Sequence, residues 1–127
     1  GQFVIPREII KATCDRFVDM PADTIGERTF CCGGGGGLLT DDLMELRVKG
    51  AMPRMTALRD VVEGQGVTHM VAICAICKAQ FTKVFPYYGF EMDQVMILHQ
   101  LVSNAIVLTR RTDDEEEEEA VDEGEEA

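Results

Sequence analysis

Four cysteines, set as Cys31-Cys32-Gly33 and Cys74-Ala75-Ile76-Cys77, constrain this chain more than any other feature. The first pair opens a run of five glycines, Gly33 to Gly37. Packing is a poor explanation for two adjacent thiols followed by bare backbone. A thiolate-bound centre explains them. Thiolates are soft ligands suited to zinc, copper(I) or iron–sulfur clusters. Glycine lets the main chain approach such a centre closely, with N–H groups free to point at sulfur. A fold that uses both motifs must bring them together.

At 127 residues the chain is one domain at most, and 46% hydrophobic content supplies a core. Its net charge of −11 is concentrated at one end, because residues 113–127 hold eleven acids and no bases. The remaining body balances twelve acids against twelve Lys and Arg. It makes no bulk electrostatic case for binding nucleic acid or anionic lipid. No apolar stretch approaches the roughly eighteen residues of a membrane span, and the start shows no signal-peptide pattern. An odd cysteine count with two adjacent thiols points away from a secreted disulfide framework and toward metal or redox chemistry in a reducing compartment. The chain opens in mid-pattern at Gly1, and we expect it to be the C-terminal part of a longer protein.

Hydrophobic periodicity places the motifs. Pro6 suits a first helical turn, and Ile10, Cys14 and Phe17 follow at helical spacing, which predicts a helix over 6–18. Arg28 to Phe30 reads as a short strand leading into Cys31. Thr40 is a suitable N-cap, with Asp41 and Asp42 in the first turn, for a helix that stops near Gly50. A second helix starts near Pro53, carries Met55, Leu58, Val61 and Val62 on one face, and ends at Gly64 and Gly66. Thr68 to Ile73 reads as a buried strand ending at Cys74. A helix from about Ile76 ends before Pro86. Val95 to Leu98 predicts another strand, and 99–108 a final helix with Leu101, Val102, Ala105 and Ile106 inward. Strands alternating with helices argue an α/β domain over 1–110 with a short, mostly parallel sheet flanked by helices. The acidic segment 111–127 cannot bury enough surface to offset its ordering entropy and is expected to be a disordered tail.

The thiols admit three chemistries. A structural zinc would take four thiolates tetrahedrally, but adjacent cysteines suit one mononuclear site poorly. A dithiol oxidoreductase would use Cys74 and Cys77, and strand–CxxC–helix is the right local context. That leaves Cys31, Cys32 and the glycines unused. A multinuclear iron–sulfur cluster uses all of them, since several irons give neighbouring thiolates separate targets. Cys14, between Ile10 and Phe17 on an apolar face, reads as a buried structural cysteine. The glycine run is no phosphate loop, because Leu38 and Leu39 follow where Lys and Ser or Thr would be needed. His69 and His99 are each expected to have a local polar partner. The methionines, Tyr87 and Tyr88 read as packing or subunit-contact residues.

The stretches GQFVIPREIIKATC, FCCGGGGGLLTDDLMELRVKGA, THMVAICAICKAQF and YYGF resemble the cysteine-rich CCG domain of the heterodisulfide reductase family, and most of all its DsrK-type branch in membrane-bound Dsr complexes. The resemblance covers about 1–108. It implies a noncubane [4Fe–4S] cluster, with Cys31, Cys32, Cys74 and Cys77 as metal ligands and Gly33 and Gly34 in the cofactor-binding loop. It further implies reduction of a disulfide or trisulfide of a small sulfur-carrier protein in dissimilatory sulfur metabolism. The partners it implies are quinol-linked membrane-complex subunits at the cytoplasmic face of the inner membrane. The family places its first cysteine much further before Cys-Cys than Cys14 lies before Cys31. A fifth ligand is therefore expected upstream of Gly1. The ferredoxin-like cysteine repeats of the family are missing from this sequence.

Overall fold

The computed structural model describes residues 2–107, so the acidic segment 111–127 and the domain boundary at 110 lie outside the described residues. Four α-helices and two short strands follow in the order α1 (Ile5–Thr13), α2 (Met44–Gln65), β1 (Met70–Ala72), α3 (Ala75–Val84), β2 (Val95–Ile97) and α4 (Leu98–Ala105). Strands β1 and β2 pair in parallel, with Met70 opposite Val95, Val71 opposite Met96 and Ala72 opposite Ile97. Parallel neighbours need a crossover, and α3 lies in it. The expected α/β class with a parallel sheet is what the chain adopts.

The boundaries differ from the sequence expectation in instructive places. Helix α1 ends at Thr13 and does not continue to residue 18. The Thr13 hydroxyl donates to the Ile9 carbonyl at 2.8 Å, and Cys14 takes extended dihedrals. Arg7 then grips Asp19 through two hydrogen bonds of 2.7 and 3.1 Å. Twelve residues of straight helix would hold these groups about 18 Å apart, so the pair forms only because the chain turns back. Cys14 is consequently half-buried and off the helix, and does not share a helical face with Phe17.

Helix α2 runs unbroken through Gly50 and Pro53, where two helices were expected. Its buried stripe of Arg47, Ala51, Met55, Leu58 and Val61 runs past both residues. Continuous burial thus outweighs the one backbone bond that proline forfeits. Before it, Thr40 is extended without a side-chain cap, and a single 3-10 turn spans Asp41–Leu43. The helix ends as expected at Gly66, whose φ of +67° closes a hydrogen bond to Val62. The segment Arg28–Phe30 forms no strand. A 3-10 turn covers Gly26–Arg28, and the Phe30 carbonyl accepts from Arg54. In α4, Leu101 and Val102 are half-buried, while Ala105 and Ile106, which lies just past its end, are exposed.

The core joins Ala51, Met55 and Leu58 of α2 to Phe81 and Val84 of α3, with Phe85, Val95 and Cys32. The Phe85 ring centroid lies 5.9 Å from that of Phe81 and 5.4 Å from that of Phe90. One of the motif cysteines is therefore a core residue, and the loop that carries it is fixed to the two longest helices.

Candidate metal centre

Cys32 enters the core at the end of an irregular segment, and α3 begins directly after Cys74. The Cys32 and Cys77 sulfurs, 45 positions apart in sequence, meet at 3.3 Å. Cys74, three residues before Cys77, is close enough for the two thiols to influence each other. The two motifs are thus adjacent in space. Cys31 is exposed, and its Sγ accepts the Gly33 N–H at 3.3 Å.

The two thiols of the CxxC turn differ in their electrostatics. Cys74 is exposed and its pKa is lowered, chiefly by the N–H of Cys77 and then by that of Ile76. These are first-turn amides of α3, and such free donors favour thiolate. Cys77 is half-buried and pushed up to about 12, first by burial and then by the neighbouring thiol of Cys32.

The glycine run has a packing explanation that spacing alone did not expose. A Cβ on Gly33, where φ is +83°, would lie 2.7 Å from the backbone carbon of Gly50. One on Gly34 would lie 2.8 Å from the Gln80 Cβ. The bare loop therefore presses against α2 at Gly50 and against α3 at Gln80, and this contact seats Cys32 beside Cys77. Gly35 to Gly37 meet nothing within 4 Å.

Three residues that sequence reasoning passed over hold the loop. Gln80 is fully buried and donates to the carbonyls of Cys32 at 3.0 Å and Arg47 at 3.1 Å. Its own oxygen accepts from Arg47 Nε at 2.8 Å. Arg54, 4% exposed, donates to the carbonyls of Thr24 and Phe30 and stacks over the Phe30 ring. A signal was present in the sequence. Arg47 and Arg54 fall on the Ala51–Met55–Leu58 face, and Gln80 falls on the Cys77–Phe81–Val84 face. Polar groups in a buried stripe are uncommon unless they are fully bonded. His69 finds the expected local partner, with its Nδ1 2.9 Å from the Thr68 hydroxyl.

The donor chemistry fits a thiophilic group, since every side chain converging here is a thiol. The placement is not a closed cage, because among the described residues no three His, Cys, Asp or Glu side chains are disposed to hold one metal ion. A cluster of several irons spreads its ligands, whereas a structural zinc needs four donors at one point. Beside the thiols lies a cavity of about 720 Å³, whose wall includes Cys14, Cys32 and Cys77. Among the described residues no helix is long and apolar enough to cross a membrane.

No family model and no solved structure matches the chain. It is similar to the "Hdr-like menaquinol oxidoreductase iron-sulfur subunit" of Archaeoglobus profundus, at 45% identity over 109 residues, which is 86% of this chain and 19% of the relative. It is likewise similar to the "Hdr-like menaquinol oxidoreductase iron-sulfur subunit 2" of Archaeoglobus fulgidus, at 43% identity over 104 residues, 82% of this chain and 19% of the relative. The chain spans about a fifth of the length of these relatives. Their description agrees with the broader resemblance to heterodisulfide reductases and with iron–sulfur redox chemistry. By sequence, the chain is a homologue of one segment of the Hdr-like iron–sulfur subunits.

Proposed function

We propose that this chain is the cluster-bearing segment of a heterodisulfide-reductase-like subunit of the DsrK type. In this reading Cys31, Cys32, Cys74 and Cys77 hold a noncubane [4Fe–4S] cluster. The parent protein passes two electrons to a disulfide or trisulfide of a small sulfur-carrier protein in dissimilatory sulfur metabolism. For a disulfide the balance is two electrons and two protons taken up for two thiols released. A menaquinol-oxidising membrane complex is the electron source, with the subunit peripheral at the cytoplasmic face.

The observation that carries the reading is the sulfur contact between Cys32 and Cys77, with Cys74 beside it, in a segment 45% identical to an iron–sulfur subunit. A cluster supplies electrons one at a time to a sulfur–sulfur bond. The chain's own part is to hold the thiols. Gln80 fixes the Cys32 carbonyl, Gly33 and Gly34 bring the loop onto α2 and α3, and the first-turn amides of α3 favour thiolate at Cys74.

A second reading has one observation in its favour. Cys74 is exposed and acidified next to a less acidic partner, Cys77, which is the asymmetry a dithiol oxidoreductase uses. Anaerobic metal and acid-labile sulfide analysis with EPR separates the two. Iron with labile sulfide and a cluster signal supports the first. A protein free of metal after anaerobic reconstitution with iron and sulfide, whose thiols cycle with a dithiol reductant, overturns it in favour of the second.

A further inference from the structure

The fold holds Cys32 and Cys77 against each other from both sides. Their sulfurs lie 3.3 Å apart. A disulfide is about 2.05 Å long, so bonding them asks for a movement on the order of an ångström. On one side, Gln80 grips the Cys32 carbonyl at 3.0 Å, and Gly33 is wedged against Gly50. On the other, Cys77 sits in the first turn of α3 and packs on the same core.

Three pairings compete for an oxidant, and the geometry ranks them. Cys31 and Cys32 are adjacent in sequence, but Cys31 is exposed beside the Gly33 N–H while Cys32 belongs to the core. A bond between Cys74 and Cys77 would lie next to the amides of Cys77 and Ile76, which interact with the Cys74 sulfur and favour it as thiolate. A sulfur stabilised in that way is the better leaving group, and its disulfide is the more easily broken. A bond between Cys32 and Cys77 joins sulfurs already in contact and leaves Cys74 free as the thiolate.

We infer that the metal-free chain closes a disulfide between Cys32 and Cys77, a redox lock that joins the two motifs until a thiol reductant opens it. The oxidant is a small-molecule disulfide. The exposed Cys74 attacks it, forming a mixed disulfide and releasing one small thiol. Cys77 displaces the second small thiol from Cys74, and Cys32 then displaces Cys74 from Cys77. Two electrons and two protons pass from the Cys32–Cys77 pair to the oxidant, two small thiols are formed, and Cys74 returns to its starting state. The bond itself needs no metal. Its consequence for loading rests on the iron–sulfur reading: the lock occupies two of the four proposed ligands and keeps the cluster out until it is reduced.

The test equilibrates the full 127-residue chain, metal-free, in glutathione buffers of rising oxidised-to-reduced ratio. Free thiols are trapped with N-ethylmaleimide, and tryptic peptides are mapped without reduction. A Cys32–Cys77 bond joins peptide 29–47 to peptide 60–78, whereas a Cys74–Cys77 bond stays inside 60–78. The joined pair should outnumber the internal bond at least tenfold, with the label on Cys31 and Cys74. Its melting temperature should exceed that of the reduced chain by several degrees, because the bond spans 45 positions of chain. Dithiothreitol should reverse both. Cys74→Ser should keep the bond and form it more slowly. A predominant Cys74–Cys77 or Cys31–Cys32 bond, or reduced thiols at every ratio, would overturn the inference. Reconstitution with iron and sulfide is read on the same samples, and the oxidised chain should take up at least tenfold less iron than the reduced one. Equal uptake by both forms would overturn the lock. A reduced chain that forms the bond on oxidation yet takes no iron would sink the cluster reading alone and leave the Cys32–Cys77 bond standing.

Discussion

The Arg47 guanidinium and the Gln80 carboxamide meet at 2.8 Å in the interior, joining α2 to α3 directly behind Cys32. Arg47 is 2% exposed and reaches Asp41 at its outer end at 3.3 Å. Gln80 is the only one of the three that both accepts from the arginine and donates to the cysteine loop.

Gln80→Leu should therefore cost about 3 kcal/mol, because it leaves the buried Arg47 Nε and the carbonyls of Cys32 and Arg47 without their partner. Chemical denaturation of the metal-free chain measures it. Iron content of the reconstituted protein should fall as well, since Cys32 loses its anchor. A change under about 0.5 kcal/mol, the range of ordinary surface substitutions, would show that the network is not what fixes the loop.

The glycine run should divide sharply. Gly33→Ala places a Cβ 2.7 Å from the Gly50 backbone at a positive φ, and should cost about 3 kcal/mol from overpacking and left-handed strain together. Gly35→Ala meets nothing within 4 Å and should stay within about 0.5 kcal/mol of the unaltered chain. Thermal melts of the two variants side by side check the contrast. Equal losses would mean that the run acts through loop flexibility and not through contact with α2.

Alkylation of the metal-free thiols should be ordered by pH. Cys74 is acidified by the amides of Cys77 and Ile76, so at pH 8 it should react well ahead of Cys77. Cys77 titrates at about 12 because of burial and Cys32, above the ordinary thiol value of 9.0. The folded chain thus holds this proton more tightly than the unfolded one. The associated stability is present below pH 9 and is lost as pH rises toward 12. Mass spectrometry of timed iodoacetamide digests reads the order, and modification of Cys77 first would contradict it.

Serine replacement should separate five cysteines into four and one. Cys31→Ser, Cys32→Ser, Cys74→Ser and Cys77→Ser should each strongly reduce bound iron, because serine is a harder and far less acidic ligand. Cys14→Ser should retain the cluster. Cys14 is half-buried at the end of α1, so its stability cost should be no more than about 1 kcal/mol. Iron content and EPR across the set decide this, and loss of the cluster in a folded Cys14→Ser protein would make Cys14 a ligand.

The sequence alone determined the class of this protein and the meeting of its two cysteine motifs. Strand and helix alternation gave the α/β order, since side-chain period is a local property of the chain. Val95 to Ile97 and Met70 to Ala72 fall within the expected strands. Spacing placed the Cys31-Cys32 and Cys74–Cys77 motifs together because neither had a separate use, and the tertiary structure decided that Cys32 and Cys77 are the thiols in contact. What the tertiary structure decided were the features that depend on partners distant in sequence. Pro53 and Gly50 look like breaks until a continuous buried stripe carries α2 across them. Arg28 to Phe30 looks like a strand until Arg54 takes its carbonyl. Gly33 and Gly34 looked like room for a metal centre, and they are also the only residues bare enough to lie against Gly50 and Gln80. Each of these outcomes turns on a contact between residues far apart in sequence. Local propensity carries no information about such a contact, and burial energy overrides it when the contact forms.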